Sequence, residues 1–172
     1  MTPESLSEKE FDPYYGRYIN KLDANTDLVE GFESGLGRVS RFFSNVAPEK
    51  QLSQYAPGKW TIKEVLQHLI DTERIFMYRC FRIARRDTQA LAGYNQEIYV
   101  APSGANDKSM ESLVTEFRIG RDHSIALLKS LSEDDLSFIG TASGNPMSAR
   151  AAAFTIIGHD IWHMDIIQEK YL

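Results

Sequence analysis

The chain has 172 residues, 42% hydrophobic and 25% charged, with a net charge of −5, which suits one globular domain burying about two-thirds of its unfolded surface. The acidic balance argues against nucleic acid as a partner, because phosphate binding needs concentrated Lys and Arg, and a single cysteine, Cys80, excludes an intrachain disulfide. No stretch approaches the roughly 18 apolar residues of a membrane span, and "MTPESLSEKEFDPYYGRY" lacks the apolar core of a signal peptide, so the expectation is a cytoplasmic protein without a membrane partner.

Four segments show helical periodicity and none shows sustained strand alternation, which predicts an all-α fold. Residues 1–25 read as an N-terminal arm on a single domain of residues 1–172. The first predicted helix runs from about Thr26 to Phe43, with Leu28, Phe32, Leu36, Val39 and Phe43 at three- or four-residue steps. Gly31, Gly35 and Gly37 each weaken it by about 1 kcal/mol against Ala, so packing must compensate. Gly31 and Gly35 invite a close helix approach, either within the chain or across a dimer.

The second predicted helix has the sharpest start signal, "KWTIKEVLQHLIDTERIF". Thr61 and Glu64 have capping-box spacing, and Trp60 with Val65 has that of a hydrophobic staple. It continues to about Arg86, where Arg82, Arg85 and Arg86 suit the negative end of the helix dipole. The third runs from about Met110 to Leu131 behind Ser109, and the fourth from about Ala149 to Tyr171 behind Ser148. Between Ala151 and Ile167 the fourth is apolar nearly all round, so it should be the most buried. The connections 44–60, 87–108 and 131–147 exceed ordinary bundle turns. The segment 87–108 can span the bundle, which permits parallel second and third helices.

"GHDIWHMDII" places His159 and His163 one turn apart, 40° apart in projection at 100° per residue. Two imidazoles so placed can share a metal ion, and the same spacing also fits two core histidines bonded to their surroundings. Asp160 is shorter than the Glu of a zincin HExxH, which weakens a metalloprotease reading. His68 lies two turns into the second helix near its apolar seam, and either pairing of that helix with the fourth brings it near the pair. Three imidazoles would leave open positions on a metal, as catalytic sites require. His123 projects away from its helix's apolar stripe and reads as solvent-facing.

Asp71 and Asp160 could fix an imidazole's second nitrogen; Glu73 reads as a solvated or salt-bridged surface residue. Arg79, Arg82 and Arg86 continue the His68 face and could receive an anionic substrate, although charge complementing the helix end is the plainer explanation, above all for Arg86. Tyr94, Asn95 and Asn145 lie in long connections that could close over a metal. Cys80, beside Phe76 and Ile83, reads as a buried structural thiol.

Taken together, "YAPGKWTIKEVLQHLIDTERIFMYRCFRIARRD", "GTASGNPMSARA" and "GHDIWHMDIIQEKYL" resemble the DinB/YfiT-like superfamily of metal-binding four-helix bundles, as do "YYGRYI" and "LAGYNQEIYV". The resemblance implies an up-down-down-up four-helix bundle with the long crossover between helices two and three. It also implies a three-histidine site, which falls on His68, His159 and His163, holding a divalent metal such as Zn or Ni. The superfamily includes thiol S-transferases and isomerases that use low-molecular-weight thiols, proteins described as metal-dependent hydrolases, and many homodimers. The expectation is a homodimeric metal-dependent enzyme acting on a small molecule, as a thiol transferase or hydrolase. The alternative is a non-catalytic metal-binding or stress-response protein acting through a partner.

Overall fold

Seven helices and one β-hairpin make up the chain, whose computed structural model describes residues 1–172. In order they are α1 (Pro13–Ile19), α2 (Leu28–Ser44), α3 (Ile62–Ala84), α4 (Glu97–Ser103), α5 (Met110–Lys129), α6 (Glu133–Ser137), β1 (Ile139–Ala142), β2 (Asn145–Ser148) and α7 (Ala149–Lys170). The bundle consists of α2, α3, α5 and α7, which are the four helices expected from periodicity. Their N-termini are held by Asp27, Thr61, Ser109 and Ser148, each side chain accepting a backbone N–H of the first turn. The Thr61–Glu64 capping box is formed in both directions. At the other end of α3, Arg86 takes a left-handed conformation (φ 63°). Asp87 N–H then bonds back to Arg82 C=O and Arg86 N–H to Ile83 C=O, a Schellman closure that stops the helix.

Helix directions follow from the residues that meet. Tyr171, at the end of α7, donates to the carbonyl of Trp60, just before α3, so these two helices run antiparallel. Lys108 reaches Gln67 near the starts of α5 and α3, and Arg121 reaches Glu73 farther along both, so these run parallel. Phe43, near the end of α2, packs in one cluster with Met110 and with Ile167, placing α2 antiparallel to α5 and parallel to α7. The topology is therefore up-down-down-up, with segment 87–108 as the crossover between the parallel pair.

The core is two apolar clusters stacked along the bundle. One gathers Phe32, Phe76, Cys80, Ile83, Phe154 and Ile157; the other gathers Phe43, Ile62, Leu69, Leu113, Phe117 and Ile167. Burial of each large side chain stabilises by roughly 1.5–3 kcal/mol. At the level between the clusters, α3, α5 and α7 contribute Glu73, Arg121 and Asp160, a buried ion cluster with Arg121–Glu73 at 2.9 Å and Arg121–Asp160 at 2.7 Å. Glu73 is thus not the surface residue expected; only 4% of it is exposed. Gly31 and Gly35 of α2 face inward, since a Cβ at Gly31 would meet Ile157 and one at Gly35 would meet Arg121.

Three further segments depart from expectation. The N-terminal arm contains α1, started by Asp12 with Pro13 at its first position and packed against α7. Residues 139–148 form a hairpin, with Ser143 and Gly144 at the turn. Its strands span four residues each, too short for alternation to register. The crossover contains α4 and adds a third line of backbone pairing to the hairpin: Leu91 N–H bonds Thr141 C=O, and Ser143 N–H bonds Leu91 C=O.

Candidate metal centre

Helix spacing puts His159 and His163 on one face of α7, and the antiparallel packing of α3 brings His68 opposite them. Their Nε2 atoms converge: His159 Nε2 lies 3.1 Å from that of His68 and 3.0 Å from that of His163. Tetrahedral zinc with Zn–N bonds of roughly 2.0–2.1 Å would hold its nitrogens about 3.3 Å apart. These two pairs would need to open by only about 0.3 Å to match such an ion, and all three donors lie within 4.8 Å of one another, so the donor set fits a divalent metal.

Each ring is braced edge-on or tilted against an aromatic side chain. Trp60 packs on His68 at 4.7 Å between ring centres, Tyr18 on His159 at 5.0 Å, and Trp162 on His163 at 4.8 Å. Such walls exclude water and limit rotation of the imidazoles. Burial pushes the pKa of His68 down to about 4, and it pushes His159 and His163 well below the ordinary value, helped by the neighbouring rings. All three rings are consequently neutral at physiological pH, the form that can ligate a metal.

The expected supporting carboxylates are engaged elsewhere. Asp160 points to Arg121, where burial lifts its pKa to about 6 against the pull of that guanidinium. Asp71 accepts from Gln67 and Arg74 near the surface. Neither orients an imidazole: Asp160, next to His159 in sequence, projects from another face of α7, and Asp71, although i,i+3 from His68, is held by Gln67 and Arg74. The polar neighbour of His68 is Thr72, one turn on, whose hydroxyl lies 3.4 Å from His68 Nδ1 and 3.2 Å from the Tyr94 hydroxyl. Helical i,i+4 spacing made Thr72 findable; the contact from Tyr94 depends on how the crossover folds back.

An aromatic cleft of about 250 Å³ opens over all three histidines, walled by Tyr14, Tyr18, Tyr55, Trp60 and Trp162, with Arg17, Lys59 and Glu97 around it. A second cavity of about 450 Å³ shares His159, Tyr14 and Tyr18 with it and extends toward Tyr94, Asn95 and Ser143. Of Arg79, Arg82, Tyr94, Asn95 and Asn145, only Tyr94 and Asn95 line this space. Arg79 is buried behind it. Arg82 is bound by Asp87, Tyr78 and Gln89 beside the end of α3, and Asn145 is exposed on the hairpin. The largest concavity, about 760 Å³, is an apolar groove between α3 and α5 that contains none of the three histidines. His123 is exposed at its edge, and Cys80 is buried, its thiol pushed up to about 12.

Fold and cluster together define a four-helix bundle of up-down-down-up topology with three imidazoles converging between two of its helices. The DinB superfamily model matches residues 32–167, and the chain belongs to that superfamily. The structure is similar to that of YfiT from Bacillus subtilis, described as a probable metal-dependent hydrolase with an unusual four-helix bundle topology. The TM-score is 0.74 at 14% identity, over 96% of this chain and 90% of that one. It is also similar to a mycothiol-dependent maleylpyruvate isomerase, with a TM-score of 0.65 at 14% identity over 80% of this chain, which spans only 58% of that enzyme. No functionally curated protein matches the sequence. No helix is long and apolar enough to cross a membrane.

Proposed function

We propose that the protein is a metal-dependent enzyme in which His68, His159 and His163 hold a divalent ion, zinc or nickel, and which acts on a small molecule. The observation carrying this is the convergence of three buried neutral imidazoles through their Nε2 atoms beneath an open cleft. An ion held there supplies Lewis acidity, making water or a thiol nucleophilic near neutral pH. The chain's own residues fix the rings by aromatic packing and exclude bulk water with Trp60, Tyr18 and Trp162. Thr72 steadies His68, and the aromatic cleft bounds a flat or apolar substrate.

The descriptions of the two structural neighbours support hydrolysis on one side and thiol-dependent chemistry on the other. Metal analysis of tag-free protein tests the centre: about one ion per chain is expected, and its loss in His68→Ala. Turnover of an ester panel with and without a low-molecular-weight thiol then separates hydrolase from thiol transferase. Metal-replete protein inert in both arms would be a non-catalytic metal-binding protein acting through a partner. Protein without stoichiometric metal would overturn the proposal.

A further inference from the structure

Two arginines are fully buried, and their surroundings differ in one respect. Arg121 is faced by two carboxylates. Arg79, 1% exposed, has no carboxylate partner. Its Nη2 donates to Ala92 C=O at 3.0 Å and to Ser143 Oγ at 2.8 Å, while its Nη1, like that of Arg121, has no hydrogen-bond partner. The rings of Phe76 and Tyr94 lie 4.9 and 5.7 Å from the guanidinium. They offset part of the charge through their quadrupoles but provide no anion, and a buried ion without one is strongly disfavoured.

Phe76, Tyr94 and Ser143, the three side chains around that guanidinium, all line the 450 Å³ cavity beside His159. Ser143 accepts from Arg79, which leaves its own proton free to be donated into the cavity. Ser143 also holds a left-handed backbone, φ 54°, where Asn or Gly is usual. A non-glycine residue kept in a strained turn and bonded to an unpaired buried cation suits a binding role better than a folding one. The only acid in the cavity wall, Glu97, is exposed on α4 and solvated.

We propose that this cavity binds the carboxylate of a small aromatic acid, with Ser143 donating to it and Arg79 supplying positive charge from behind the wall. Tyr14, Tyr15, Phe76 and Tyr94 would pack on the flat body of the acid, and His159 lies in the same wall. That the acid is the substrate rests on the three-histidine centre being an active site; the binding itself does not require metal.

The test therefore uses chelator-treated full-length protein, with benzoate as probe and neutral benzamide as control, followed by calorimetric titration and thermal unfolding. Benzoate should raise the unfolding midpoint and bind at least about tenfold more tightly than benzamide. Arg79→Met and Ser143→Ala should each weaken benzoate roughly tenfold to a hundredfold, as loss of a charge-assisted contact does, and leave benzamide unchanged. Ser143→Gly should raise the unliganded midpoint by relieving the turn while abolishing the benzoate shift. Benzoate binding no better than benzamide, or binding equally well in Ser143→Ala, would overturn the proposal. Should Arg79→Met fail to fold, the two Ser143 variants decide alone. Loss of benzoate binding with metal content intact removes this inference only; benzoate binding without metal content removes only the proposed metal-dependent function.

Discussion

Gly158 of α7 lies directly against the backbone carbonyl of Tyr18, so that a Cβ there would stand 2.0 Å from the Tyr18 oxygen. The obstacle is backbone, which cannot rotate aside as a side chain would. This contact lets α1 lie close enough to α7 for the Tyr18 ring to brace His159. Gly158→Ala should lift α1 away, cost about 1–3 kcal/mol as overpacking does, and loosen metal binding by withdrawing that brace. Urea unfolding and a chelator competition measure the two effects; an alanine variant unchanged in both would show that α1 is not coupled to the centre.

Arg121 keeps two buried carboxylates apart, and its own charge is favoured by them despite burial. Arg121→Met leaves Glu73 and Asp160 without a cation, and breaking a buried ion cluster from one side costs about 3–5 kcal/mol. Replacing Glu73 and Asp160 with Leu in the same chain should recover most of the loss, because no uncompensated charge remains. The single variant should suffer less at pH 5 than at pH 8, since a protonated carboxyl relieves the repulsion. Stability curves for the single and triple variants at both pH values check this.

Metal-free protein should lose stability as pH falls below 6.5. Each unfolded histidine takes up a proton near that value, whereas burial holds the folded His68 neutral down to about 4 and keeps His159 and His163 neutral well below their ordinary value. The unfolded state therefore binds more protons in this window, so the stabilisation is complete above pH 6.5 and is lost as pH drops toward 4. The slope is at most roughly 1.4 kcal/mol per pH unit for each ring. His163→Ala should flatten the profile measured by denaturant titration in chelator. A level wild-type profile from pH 7 to 5 would contradict burial of these rings as the dominant influence.

Thr72→Val preserves shape and removes the hydroxyl beside His68 Nδ1. Loss of such an orienting contact weakens metal binding about tenfold to a hundredfold, and the 3.4 Å separation places this one at the lower end. His68→Ala, by contrast, should abolish stoichiometric metal. Competition with a colorimetric chelator ranks the two; Thr72→Val as severe as His68→Ala would mean that Thr72 acts on the fold instead of the ring.

Signals confined to a few neighbouring residues were the legible ones. Capping boxes, i,i+4 apolar stripes and the HxxxH spacing depend on helix geometry alone, so the four bundle helices and the shared face of His159 and His163 could be read directly. Asp12 followed by Pro13 was an equally local start signal for α1 and passes unnoticed in an arm with no long apolar stripe. The hairpin was too short to show its period.

Long-range choices were made only by packing. Glu73, Arg121 and Asp160 are ordinary charged residues in the sequence and become one buried cluster because three helices meet at the same level. Arg79 reads like any helix-end arginine until the hairpin and crossover close over it. By itself the sequence determined the four bundle helices, the caps Thr61, Ser109 and Ser148 and the three imidazoles, since those follow from local periodicity and residue chemistry. The tertiary structure decided that Asp71 and Asp160 are drawn away from the centre and which cation remains unpaired, because a side chain's partner is chosen by the elements brought against it, not by its neighbours along the chain.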